Sequence, residues 1–236
     1  MTKPLADKLV LVTGASRGIG AATAEAAAAA GAHVILTART GAKLEEVEER
    51  IHQAGGTATI APLDLTDGDS VGRLAAAIAQ RWKRLDGLVL NAATLGTLSA
   101  VPAIDPKEFA RILTLNVSAQ QALIAAFDPM LRAAAPGRLI AVTSSVGASP
   151  RAYWGAYGAS KAALETLVLA YGEEQRNLGN VAVAIIDPGA TRTEMRARAF
   201  PGEDPATVKA PSVVGSRIAG LLAEQFATGH RERIEG

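Results

Sequence analysis

Short runs rich in Val, Ile, Leu and Thr alternate with longer helix-patterned segments from one end of the chain to the other. Continuous apolar runs mark strands covered on both faces, because a strand buried on one face alternates apolar with polar positions. The pattern predicts strands over Leu9-Thr13, His33-Thr37, Thr57-Ala61, Gly87-Leu90, Arg138-Thr143 and Val181-Ile186, with a seventh near Arg231-Ile234. Helices are predicted over Ile19-Ala30, Ala42-Ala54, Ser70-Trp82, Pro106-Leu131, Tyr153-Arg176 and Val213-Gln225, the fourth of them broken before Pro129. Such alternation defines an α/β fold of one domain, a doubly wound parallel sheet of seven strands with helices on both faces. The alanine tract Ala26 to Ala30 reads as helix core, since alanine is the best helix former and packs closely on a sheet. Residues 188–211, rich in Arg, Pro, Gly and acids, read as an irregular loop within that domain and a candidate lid over a substrate.

At 236 residues the chain can bury a full two-sided core. With 24 basic and 23 acidic residues the net charge is +1, which offers no electrostatic attraction for nucleic acid or an acidic membrane. There is no cysteine, so disulfides, thiol catalysis and thiolate metal sites are excluded. The opening residues carry no signal-type apolar core, and charge or glycine interrupts every apolar stretch before a membrane-spanning length. A cytoplasmic location is the expectation.

Chemistry enters at the first strand-to-helix junction. Thr13-Gly14-Ala15-Ser16-Arg17-Gly18-Ile19-Gly20 places glycines where a tight turn, close approach of backbone to a diphosphate and close packing of helix on strand all require them. The spacing is G-x-x-x-G-x-G, and its position after the first strand carries the argument. At the end of the second strand, Leu36-Thr37-Ala38-Arg39-Thr40 lacks the carboxylate that accepts from a free ribose 2′-hydroxyl. Arg39 and Arg17 instead offer cations to a 2′-phosphate, so NADP(H) is expected in preference to NAD(H).

Tyr157 and Lys161 stand one helical turn apart, with Ser144 thirteen residues before the tyrosine at the end of an apolar strand. Residues at i and i+4 share a helix face, so the ammonium can favour the ionised phenol. That matters because a free tyrosine, with a pKa of about 10, is a poor acid or base at neutral pH. Ser144 can hold the oxygen that gains or loses the proton.

Taken in order, these motifs together with Asp64 in Asp64-Leu65-Thr66-Asp67, Asn91-Ala92-Ala93, Asn116 and Pro188-Gly189-Ala190-Thr191-Arg192-Thr193 resemble the compact short-chain dehydrogenases/reductases, over nearly the whole chain. The resemblance implies a Rossmann-type fold in which Gly14, Ser16, Arg17, Gly18, Ile19, Gly20 and Arg39 hold the cofactor phosphates. It implies that Asp64 binds the adenine amino group beside Leu65, and that Asn91 and Ala92 line the cofactor channel. Pro188, Gly189, Thr191 and Thr193 would fix the nicotinamide carboxamide and its neighbouring phosphate. Asn116 would kink a helix and hold a water relaying protons to Lys161, which would also bind the nicotinamide ribose. Local roles compete for three of these: a turn for Asp64, a local helix bond for Asn116 and a helix cap for Thr193. The family commonly has Asn-Asn-Ala-Gly where this chain has Leu90-Asn91-Ala92-Ala93.

The expected activity is hydride transfer between NADP(H) and a small carbonyl or secondary-alcohol substrate, with Tyr157 as general acid/base and Ser144, Lys161 and Asn116 assisting. Ala93 to Gly96, Val146, Arg151, Tyr153, Trp154 and the loop from Thr193 are expected to face substrate, although Tyr153 and Trp154 read equally well as packing. An NADP(H)-sensing regulator without turnover, or a lyase or epimerase of the same fold, are the alternatives. Surplus apolar positions Ala162, Ala163, Leu164, Leu167, Val168 and Ala170 predict a homodimer or homotetramer paired through that helix and the one containing Asn116 to Ala126.

Overall fold

The computed structural model describes residues 2–235. In chain order the elements are β1 (Leu9–Thr13), α1 (Gly18–Ala29), β2 (His33–Ala38), α2 (Gly41–Gln53), β3 (Thr57–Pro62), α3 (Ser70–Arg81), β4 (Gly87–Leu90), α4 (Pro106–Leu113) and α5 (Ala119–Ala134). They continue with β5 (Gly137–Val142), α6 (Ser145–Ala148), α7 (Gly155–Arg176), β6 (Val181–Asp187), α8 (Glu194–Ala199), α9 (Pro211–Ala223) and β7 (His230–Arg233). The strands form one parallel seven-stranded sheet in the order β3-β2-β1-β4-β5-β6-β7.

The continuous apolar runs divide between two cores, because successive strand residues point to opposite faces. Val10, Val12, Val34, Leu36, Ile140 and Ile186 pack under α1, α2 and α9. Leu9, Leu11, Ile35, Leu139, Val183 and Ile185 pack under α3, α5 and α7. Small residues let α1 and α9 meet closely, since a Cβ on Gly215 would stand 2.5 Å from the Ala22 carbonyl carbon. The chain reverses its direction of winding between β1 and β4, so their C-terminal ends diverge from their connections and open a crevice.

Four sequence expectations change. The helix predicted over Pro106-Leu131 is interrupted at a π-helical turn, Thr114–Ser118, not before Pro129, which lies inside α5. Proline is tolerated there because the carbonyl it leaves unpaired, on Ala125, belongs to an exposed residue that water can reach. Helix α7 begins at Gly155 and not at Tyr153, whose φ of 71° is left-handed. Residues 188–211 are not wholly irregular: they contain α8, capped by Thr193, a 3-10 turn at Pro205–Thr207 and a Thr191–Lys209 bridge. The last helix starts at Pro211, whose fixed φ suits a first helical position, and ends at Ala223. Smaller shifts of one residue occur at β5 and β7, which start at Gly137 and His230.

The proposed pairing surface narrows as well. Leu164 and Val168 belong to this chain's own core, turned toward the sheet. Ala162, Ala163 and Leu167 are half-buried and Ala170 is exposed. We propose that this remaining stripe on α7, with α5 beside it, pairs two copies, and light scattering at micromolar concentration should give at least a dimer mass. A monomer would remove the proposal.

Candidate active site

The glycine turn works by closeness. Gly14 has φ +65°, and a Cβ there would lie 2.9 Å from Asn91 Nδ2 and 3.0 Å from Ala92 Cα. A Cβ on Gly20 would overlap the Gly14 carbonyl, so α1 can begin against the end of β1 only with glycine at that place. Gly18, φ +56°, faces Thr193 from the opposite wall.

Behind the turn, Thr13 ties β1 to β4. Its Oγ1 donates to Val89 O (3.1 Å) and accepts from the Asn91 and Ala92 amides, both at 3.0 Å. Asn91 answers by donating Nδ2 to Thr13 O at 2.8 Å. The next residues are held from the far side: Asn116, in the π-helical turn, accepts from Thr94 N (2.8 Å) and donates to Thr94 O (2.9 Å) and Ser160 Oγ (3.0 Å). Ser160 Oγ donates onward to Tyr157 O at 2.7 Å. A continuous bonded path thus runs from the glycine turn to the backbone of the helix bearing the tyrosine. Asn116 is engaged by Thr94 and Ser160, and no direct bond joins it to Lys161 among the described residues.

Tyr157, Lys161 and Ser144 line one cleft of about 440 Å³ at the C-terminal ends of the strands. The same cleft is lined by Gly14, Ser16, Arg17, Gly18, Ile19, Arg39, Asp64, Leu65, Asn91, Ala92, Pro188, Gly189, Thr191 and Thr193. Gly20 lies behind the turn, packed on Gly14, and Asn116 is fully buried behind the wall. Ser144 precedes α6 in extended conformation at the end of β5. The Lys161 ammonium donates to Val142 O at 2.9 Å and stands 5.6 Å from the Tyr157 ring centre.

The electrostatics depart from the expectation that Lys161 lowers the tyrosine pKa. Burial, aided by the Asp187 carboxylate, pushes the Tyr157 phenol upward. Burial also lowers the Lys161 ammonium to about 8, against a smaller opposing effect of Glu165 one turn on. Desolvation is the main cause in both, because each charged form loses water.

Other residues take local partners. Asp64 Oδ1 accepts from Thr66 N (2.9 Å) and Thr66 Oγ1 (2.7 Å), and these bonds, with a weaker contribution from Arg39, hold its carboxyl below the usual range. Thr193 Oγ1 accepts from Arg196 N as the cap of α8 (3.1 Å). Arg17 pairs with Glu194 at 2.6 Å, linking the glycine turn to α8 across the cleft. Arg39 is exposed on the cleft wall and has no ion pair among the described residues.

Gln120 escaped the sequence reading. It is fully buried, and its Nε2 donates to Ala92 O (3.2 Å) and Leu115 O (2.9 Å), while Oε1 has no partner among the described residues. A glutamine on the buried face of an otherwise apolar helix was the available signal. Gln120→Leu should cost about 1–3 kcal/mol in chemical denaturation, because two carbonyls lining the channel lose a donor. An unchanged unfolding midpoint would show that neither bond matters.

A parallel sheet with a glycine turn at its reversal point, opening into a cleft that holds a tyrosine and a lysine, defines a dinucleotide-binding protein of the Rossmann type. The short chain dehydrogenase family model matches residues 8–204, and the chain belongs to that family of oxidoreductases. It is 39% identical over 223 residues to an uncharacterized oxidoreductase, YciK, of Escherichia coli strain K12, covering 93% of this chain and 88% of that one. A short chain dehydrogenase from Shigella flexneri 2a, complexed with NADP, superposes with a TM-score of 0.94 at 36% identity, covering 99% of each chain. One from Escherichia coli CFT073, complexed with NADPH, gives the same score and identity over 99% of this chain and 98% of that one. None of the described helices is long and apolar enough to cross a membrane.

Proposed function

We propose that the chain transfers hydride between NADP(H) and a carbonyl or secondary-alcohol substrate, with Tyr157 as the general acid/base. The observation that carries this reading is that Tyr157, Lys161 and Ser144 share one cleft with the glycine turn and Arg39. The cradle fits a dinucleotide: a side chain on Gly18 would reach Thr193 on the opposite wall, one on Gly14 would push the turn off Asn91 and Ala92, and Arg39 supplies a cation for a 2′-phosphate. Bound there, NADP(H) would supply or accept the hydride.

The protein's own contribution is orientation and proton movement. In reduction, Tyr157 gives its proton to the carbonyl oxygen, and its burial keeps that proton in place at neutral pH. Ser144 donates to the same oxygen as negative charge develops, a contribution of about 10²–10³ in rate for such a donor. Lys161 binds the nicotinamide ribose and, while charged, stabilises the phenolate left on Tyr157. Asn116 fixes the frame through Thr94 and Ser160. Residues 188–211, with α8, form the cover. A screen of small ketones, aldehydes and keto-esters, followed by loss of NADPH absorbance, tests the reading. Tight NADPH binding with no consumption by any of them would favour a sensor instead.

A pH dependence follows from Lys161. Its ammonium titrates near 8, so kcat/KM for reduction should be level below that pH and fall as pH rises through it. The stability sign is the reverse: the unfolded lysine binds its proton more tightly, so folding gains stability as pH rises from about 8 toward the ordinary 10.5. A pH profile flat to 10 would remove Lys161 from the proton chemistry.

A further inference from the structure

Resting on the hydride-transfer reading above, we propose that the substrate carries an extended apolar tail, which leaves the cleft over a lip formed by Val101, Pro102 and Tyr153. An apolar cluster stands beside Tyr157: Leu95 and Val146 are buried next to it, with Leu98, Trp154, Met195 and Ala199 packed around them, and Leu95, Trp154, Met195 and Ala199 also line the cleft. Trp154 spans this pocket, its ring 6.1 Å from Tyr157 and 5.7 Å from Phe200 at the end of α8.

From that cluster the chain runs out to an apolar surface. Ala100, Val101, Pro102 and Ala103 are four consecutive exposed apolar residues, immediately after Ser99 and Leu98, which packs on that cluster. Tyr153, beside Trp154, joins them: Ser99 N donates to Tyr153 O at 3.1 Å, and a Cβ on Gly155 would stand 3.0 Å from Val101 Cγ2. Val101 and Tyr153 are 68% and 63% exposed, more than any other large apolar side chain among the described residues. Tyr153 also holds φ at +71°, a backbone region unfavourable to a bulky residue. An apolar surface continuous with a reaction pocket suits the part of a substrate that the pocket cannot contain. The chemical class is therefore an unbranched aliphatic or aryl-alkyl ketone, aldehyde or alcohol.

The test is a series of unbranched methyl ketones, from butanone to one of about twelve carbons, reduced with NADPH by the full chain. Once the pocket is filled, kcat/KM should rise by up to about fourfold for each methylene laid on the lip and then level off, as burial of a methylene predicts. Tyr153→Asn keeps a residue tolerant of positive φ while removing the ring, and Val101→Ser shortens the opposite side of the lip. Each should lower the long-to-short ratio of kcat/KM by about tenfold, a ratio internal to each protein and independent of how much of it folds. Binding is read separately by quenching of tryptophan fluorescence, since Trp154 lies in the pocket and Trp82 at the other end of the sheet. A Kd that tightens with chain length without turnover sustains the lip and sinks the hydride-transfer reading. A Kd and kcat/KM both flat with length overturn the lip alone. Variants that keep the wild-type ratio but lose mass in light scattering would overturn it too, and assign the surface to a second copy of the chain.

Discussion

Tyr157→Phe is expected to bind NADPH with the wild-type Kd and to reduce carbonyl substrates about 10²- to 10⁴-fold more slowly. The ring stays in its buried place against Trp154, so the cleft keeps its shape, and only the proton is lost. Positioned acid catalysis contributes about 10²–10⁴ in rate, and in the proposed mechanism Ser144 and Lys161 assist the phenol and do not replace it. Steady-state kcat measured beside cofactor titrations separates the two effects. A mutant retaining a tenth of the wild-type kcat would exclude Tyr157 as the acid/base group.

Reversal of charge at Arg39 should have the next largest effect. The wild type should favour NADPH over NADH by roughly 10- to 150-fold, the range of one charge-assisted contact of about 1.5–3 kcal/mol. Arg39→Asp should erase or invert that preference, since a carboxylate repels the 2′-phosphate and accepts from a free 2′-hydroxyl. Two local facts shape the outcome. Arg17 is already paired with Glu194, whereas Arg39 and Lys43, which line the same cleft, have no ion pair among the described residues. Arg39 also helps keep Asp64 ionised, so the substitution sets two carboxylates near each other. Because Arg39 is exposed, the preference should shrink as salt rises. Equal affinities for NADH and NADPH in the wild type would end the assignment.

Local pattern was enough to locate the sheet and the glycine turn. Gly87–Leu90 and Leu9–Thr13 lie where the apolar runs place them, since burial on both faces leaves no other use for such segments. Tyr157 and Lys161 share a face because helix geometry fixes the i, i+4 relation. The break near Asn116 was legible only through family resemblance, for the π-helical turn depends on bonds to Thr94 and Ser160 that are distant in sequence. Sequence distance likewise hid the role of Gln120, the pairing of Arg17 with Glu194 and the apolar lip joining Val101 to Tyr153. The direction of the Tyr157 pKa was decided by tertiary structure for another reason. Spacing reports which charges are neighbours, whereas desolvation depends on everything packed around the phenol, and here burial, aided by the Asp187 carboxylate, sets the upward direction.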